Sequence, residues 1–137
     1  MLIQYGVVPL RRSADGAVEV MLITSRETRR WVVPRGNPIP GRSPVESAVQ
    51  EAWEEAGIEG SVDTEPLGLY VYDKRRRSGA MEPAEVRLFR MRVAREHEAW
   101  PERWQRERRW FTPDEAASAV AERELAEIIR AVVLEPL

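Results

Sequence analysis

Three glutamates, Glu51, Glu54 and Glu55, crowd one end of the stretch from Gly36 to Ile58, Gly-Asn-Pro-Ile-Pro-Gly-Arg-Ser-Pro-Val-Glu-Ser-Ala-Val-Gln-Glu-Ala-Trp-Glu-Glu-Ala-Gly-Ile. On a helix, residues three and four apart are neighbours, so the three carboxylates gather on one side and repel one another. A helix kept only for its stability gains nothing from that arrangement. A divalent cation reverses the sign of the cost, because a hard ion such as Mg²⁺ takes carboxylate oxygens. The competing reading is a solvated acidic face, the ordinary fate of charged residues. The elements that must position the glutamates are legible around them. Ser43 is a good N-cap, Pro44 suits the first helical position, and Glu46 completes a capping box with Ser43. Gly57 supplies the left-handed residue that ends the helix. Val45, Ala48, Val49, Ala52 and Ala56 recur at helical spacing and predict a core-facing stripe.

The stretch resembles the Nudix box, G-x5-E-x7-R-E-U-x-E-E-x-G-U, where U is a bulky aliphatic. Gly36, Glu51, Glu54, Glu55, Gly57 and Ile58 match in register, with Ala52 a small substitute at the first aliphatic place. Two positions depart: Arg42 stands where the family has Glu, and Gln50 where it has Arg. In the family those two commonly pair and brace the loop against the helix. The flanks Trp31-Val32-Val33-Pro34-Arg35-Gly36 and Arg109-Trp110-Phe111 look like those of the diphosphoinositol polyphosphate phosphohydrolase branch and its bacterial relatives. The resemblance implies an α+β fold, a mixed sheet sandwiched between helices. It also implies hydrolysis of a phosphoanhydride in a small polyphosphate, with Mg²⁺, or Mn²⁺ in its place. On the family's pattern Glu51, Glu54 and Glu55 and the Gly36 carbonyl hold the metal, and Arg35 meets substrate phosphates. One of the glutamates, or a carboxylate from a later loop such as Glu82 or Glu85, accepts the proton from water.

The chain has 137 residues, the size of one domain, and no cysteine, which excludes disulfides, thiol catalysis and thiolate metal sites. The N-terminus lacks a basic region followed by a long apolar core, and no apolar run approaches a membrane span. A cytoplasmic protein is the expectation. Net charge is −2, but the segment from Lys74 to Arg109 holds twelve basic and six acidic residues. Lys74, Arg75, Arg76 and Arg77 would form a cationic lip if their loop folds over a cleft; a solvated loop is the alternative. His97, alone in the chain, cannot build a histidine metal site and reads as a surface residue. Trp53 is expected to pack toward the sheet, and Trp100 and Trp104 to serve as core or rim packing in preference to base stacking. Tyr70 and Tyr72 read as plain strand residues.

Taken in order, residues 2–11 predict a strand, with Gly6 and Pro9 as bulge or edge positions. Ala14-Asp15-Gly16 predicts a hairpin turn, and Val18 to Thr24 the returning strand. Trp31 to Val33 predicts a short strand, Gly60 to Asp73 a long strand or pair, and Asp73 to Pro83 a basic loop. Glu85 to Ala94 alternates as a strand, residues 96–105 form a polar connection, and Arg108 to Phe111 is the last strand. Thr112-Pro113-Asp114-Glu115 opens one C-terminal helix with the stripe Ala116, Ala117, Val120, Leu125, Ile128, Ile129, Val132 and Val133. Against the enzyme stands a catalytically weakened binding or regulatory module of the same fold. Nucleic-acid binding through residues 74–109 has no accompanying motif. A homodimer is an open alternative for its assembly.

Overall fold

The computed structural model describes residues 1–132. Its strands are β1 (Leu2–Arg12), β2 (Val18–Thr24), β3 (Trp31–Val32), β4 (Arg35–Gly36), β5 (Ile58–Val62), β6 (Gly68–Arg75), β7 (Met81–Glu96) and β8 (Arg108–Phe111). They form one sheet in the order β3-β2-β1-β7-β5, with β4 also on β1, β6 also on β7 and β8 also on β2. β1 and β7 run parallel from Leu2↔Ala84 to Leu10↔Arg92, and β1, β2, β5 and β6 otherwise pair antiparallel. The sheet is therefore mixed, as expected.

Because side chains alternate across a strand, neighbouring residues feed opposite faces. Val8, Leu10, Leu22, Val86 and Leu88 belong to one core, and Val7, Met21, Ile23, Phe89 and Met91 to the other. The first is covered by α2 (Pro113–Ala119) and α3 (Arg123–Val132) through Ala116, Leu125 and Ile129; the second by α1 (Pro44–Glu51) and its extension through Ala48, Ala52 and Ala56. Burial on both faces explains why the middle of β7 reads Leu88-Phe89-Arg90-Met91, all buried, with little polar alternation.

Several expectations change. The Pro44-to-Ala56 helix is α-helical only to Glu51 and continues as a π-helical turn over Ala52–Ala56, closed by Gly57 at φ 65°. The single C-terminal helix is two, because Val120 takes an extended conformation and stays buried. The stripe itself carried the break: Val120 to Leu125 is not a helical interval. Val133 lies outside the described residues. The basic loop is shorter than Asp73 to Pro83, since β6 runs on to Arg75 and β7 begins at Met81, leaving Lys74 and Arg75 on a strand. Gly6 is no bulge. A Cβ there would meet the Pro34 carbonyl at 2.5 Å, so glycine lets β4 and its approach lie against β1.

The capping box at Ser43 closes in both directions, Ser43 Oγ accepting from Glu46 N–H and Glu46 Oε1 from Ser43 N–H. Ser43→Ala should cost about 1 kcal/mol and Leu88→Ala, a fully buried site, about 2–5 kcal/mol. Urea denaturation checks the ranking, and equal losses would contradict it.

Candidate active site

The sheet, the β2–β3 loop, the end of α1 and the segment before β8 surround a cavity of about 870 Å³. Arg35, Gly36, Glu51, Glu55, Lys74 and Arg75 all line it, so these expected site residues come together. Glu51 lies flat against Gly36: a Cβ on Gly36 would come within 2.2 Å of its carboxyl carbon. This close approach is the physical need for glycine in the box. Glu55 Oε1 accepts the Arg35 backbone N–H at 3.1 Å, which ties the glutamate turn to β4. The turn's carbonyls are held from the far side by the segment after β7, where Trp100 Nε1–H donates to Glu55 O at 3.1 Å and Arg108 Nη1–H to Ala56 O at 2.8 Å.

Glu54 is placed differently. Its carboxylate accepts from Gln50 Nε2–H at 3.1 Å and does not border the cavity. Arg76 pairs with Glu82, and Glu85 with Arg87, so neither Arg76, Glu82 nor Glu85 belongs to the site. Later segments supply Glu102, with Arg106 beside it, and Glu122, which pairs with Arg30 at 3.3 Å. No motif marks Glu102 and Arg106 in the sequence, because the connection carrying them has no periodicity. Arg42 is exposed and beside Glu46. Trp53 packs edge-on against His97, which also faces Glu59 on β5 at 3.4 Å. Trp104 is 87% exposed, so it is not core packing.

Arg35 is the most unusual cation. Its guanidinium sits 3.9 Å over the Tyr72 ring and donates to Tyr70 Oη at 3.0 Å. Tyr72 Oη–H in turn donates to Gln4 Oε1 at 2.7 Å, and Gln4 Nε2–H to Asn37 Oδ1 at 3.1 Å. The two tyrosines are thus more than strand residues. Among the described residues no carboxylate pairs with Arg35.

Burial pushes the Glu51 carboxyl up to about 7, helped by the charges of Glu54 and Glu102. Burial pushes Glu55 up to about 8, against the pull of Arg106 and the Arg35 N–H. Crowded, desolvated carboxylates are the donor chemistry that a hard divalent cation relieves. Glu51, Glu55 and the Gly36 carbonyl suit it, with Glu54 and Glu102 within the same neighbourhood. As they stand, no three acidic or histidine side chains among the described residues close on one point. Glu54 is turned to Gln50, and Arg106 bridges Glu55 and Glu102.

The chain belongs to the NUDIX domain family, whose sequence model matches residues 3–132. It is 36% identical over 104 residues to the mitochondrial Nudix hydrolase 12 of Arabidopsis thaliana, covering 72% of this chain and 50% of that protein. It is 32% identical over 101 residues to diphosphoinositol polyphosphate phosphohydrolase 3-alpha of Mus musculus, covering 72% and 57%. The chain spans about half the length of the plant relatives it matches. A C. elegans Ap4A hydrolase in a binary complex shares the fold at a TM-score of 0.70 and 19% identity, over 95% of this chain and 93% of that one. Among the described residues no helix is long and apolar enough to cross a membrane.

Folding raises both carboxyls above their ordinary value of 4.5, so the native state binds the extra protons. The contribution of these two groups to stability is then greatest below pH 4.5 and is lost as pH rises to about 8, where Glu55 ionises. In EDTA, Tm should fall between about pH 5 and pH 8. Glu55→Gln should make that fall shallower, and a slope unchanged in the variant would contradict the assignment. Glu51, Glu54, Glu102 and Arg106 are the charged groups that face Glu55 or its partner carboxyl and shape the remaining slope.

Proposed function

We propose that the chain is a divalent-metal-dependent hydrolase of phosphoanhydride bonds, with Mg²⁺ as its ion and Mn²⁺ as a substitute. Its substrate is a highly phosphorylated small molecule, a diphosphoinositol polyphosphate or a dinucleoside polyphosphate. The observation that carries this reading is Arg35: a guanidinium that stays charged at any ordinary pH, oriented by two tyrosines, uncompensated by a carboxylate, and on the wall of the cavity that holds Glu51 and Glu55. Such a group needs an anion, and a phosphate matches its planar fork. Lys74 and Arg75 on β6 extend the cationic wall toward further phosphates. The names of two relatives, a diphosphoinositol polyphosphate phosphohydrolase and an Ap4A hydrolase, support the same substrate classes.

Glu51, Glu55, the Gly36 carbonyl and, after leaving Gln50, Glu54 would hold the metal. When bound, the metal neutralises leaving-phosphate charge and acidifies water. The chain's own work is to bind and orient. Arg35 fixes one phosphate, and the β6 cations hold the remainder of the chain of phosphates. Water oxygen bonds to phosphorus, the bridging P–O bond breaks, and the water proton passes to a carboxylate oxygen. The acceptor is one of the carboxylates on the cavity wall, Glu51, Glu55 or Glu102.

A binding module is the second reading, favoured by the bond that keeps Glu54 on Gln50. A panel of inositol pyrophosphates, dinucleoside polyphosphates, nucleotide sugars and nucleoside triphosphates, run with Mg²⁺, separates the two. Turnover on one class, lost in Glu55→Gln with folding intact, is the expected result. Arg35→Ala should lower kcat/KM about 10- to 100-fold, mostly through KM, as expected for one charged contact worth about 1.5–3 kcal/mol. Silence across the panel with ligands still raising Tm would favour the binding module.

A further inference from the structure

Arg106 is nearly buried, its side chain 8% exposed, and it touches two of the carboxylates on the cavity wall, Glu55 and Glu102. Its Nη2 lies 3.4 Å from Glu55 Oε2, its Nε 2.9 Å from Glu102 Oε1, and its Nη1 donates to Thr24 O at 3.1 Å. It also lowers the cost of charge on Glu51. One guanidinium therefore occupies the place among the glutamates that a small cation would take, and its two carboxylate partners come from different elements. This is why the acidic side chains do not close on a common point as they stand. Arg26 contributes little there: it is mostly exposed and 4.0 Å from Glu102.

We propose that Arg106, anchored on Glu102, is a tethered countercation that competes with a divalent ion for Glu55, and so sets how tightly the site takes metal. The proposal rests on the metal-dependent reading above. Two positive charges held among the same carboxylates repel strongly where water is scarce. Metal entry must therefore displace the Arg106 contacts or share their oxygens, and either loss weakens net affinity. The fixed charge also keeps the carboxylates apart from one another's repulsion when no ion is bound, so the glutamate turn is held ready without metal. Arg106 acts through the carboxylates and is a positioning residue.

The test is Mn²⁺ binding to the full chain, followed by the electron paramagnetic resonance of free Mn²⁺, in wild type, Arg106→Gln and Arg106→Lys. Arg106→Gln should bind Mn²⁺ about tenfold tighter or more, because one competing charge is gone. Arg106→Lys, which keeps the charge, should stay within about threefold of wild type. Thermal melts add a second readout: Arg106→Gln should melt lower than wild type in EDTA and gain more on adding Mn²⁺. A merely structural Arg106 would give the opposite, loosened glutamates and weaker binding in the Gln variant. Equal or weaker Mn²⁺ binding in Arg106→Gln, with wild type binding normally, overturns the proposal alone. No Mn²⁺ binding by any of the three proteins overturns it together with the metal-dependent reading.

Discussion

The glutamate turn ends in four backbone carbonyls, of Glu54, Glu55, Ala56 and Gly57, and a helix cannot satisfy its own last carbonyls. All four are received by one segment, residues 97–108. Glu102 N–H donates to Glu54 O at 3.0 Å, Trp100 Nε1–H to Glu55 O at 3.1 Å, Arg108 Nη1–H to Ala56 O at 2.8 Å and His97 N–H to Gly57 O at 2.8 Å. This seam fixes more than a helix end. The same segment carries Glu102 and Arg106, so the seam brings both side chains up to Glu55. Gly57 is required twice over: for its positive φ, and because a Cβ would fall 2.6 Å from the Trp100 ring. Arg108, stacked 4.0 Å over that ring, locks the tryptophan from its other side. A larger residue at position 57 would thus disturb the turn and the acidic segment together.

The departures at Arg42 and Gln50 make sense beside this seam. A Glu–Arg brace between loop and helix is one way to hold the loop after Gly36. Here buried Ser47 Oγ accepts the Ile39 N–H at 3.0 Å, a neutral tie between the same two pieces. Gln50, released from any partner in the loop, binds Glu54. With Gln at 50, Arg42 is left as a single charge, and it stands exposed to solvent beside Glu46. The cost of the exchange falls on Glu54, which is drawn off the cavity.

What the sequence disclosed follows from which forces are local. The capping boxes, the hairpin at Asp15-Gly16, the strand alternation and the glycine that ends the glutamate turn are short-range and legible. Gly36, Glu51 and Glu55 of the box line one cavity together with Arg35. The π-helical turn was not legible, since its residues are ordinary helix formers and its cause is the distant donor set on residues 97–108. The division of the last helix was present in the interval from Val120 to Leu125 but is easily masked by so apolar a stripe. Glu102 and Arg106 were hidden because a polar connection has no period to betray which side chains turn inward. Lys74 and Arg75 were given to a loop because basic residues at an edge strand resemble loop composition.

The cavity also constrains how any ligand is recognised. Tyr72 is the only aromatic residue among the described residues lining it, and its face is covered by the Arg35 guanidinium. Trp104, with the Arg103 guanidinium 4.7 Å over its ring, stands outside the cavity. The lining is rich in charge of both signs, with the cations Arg26, Arg30, Arg35, Lys74 and Arg75 beside the carboxylates Glu27, Asp73 and Glu122 and the acidic group around Arg106. Binding in such a place is dominated by charge, with orientation supplied by the tyrosine-held fork of Arg35.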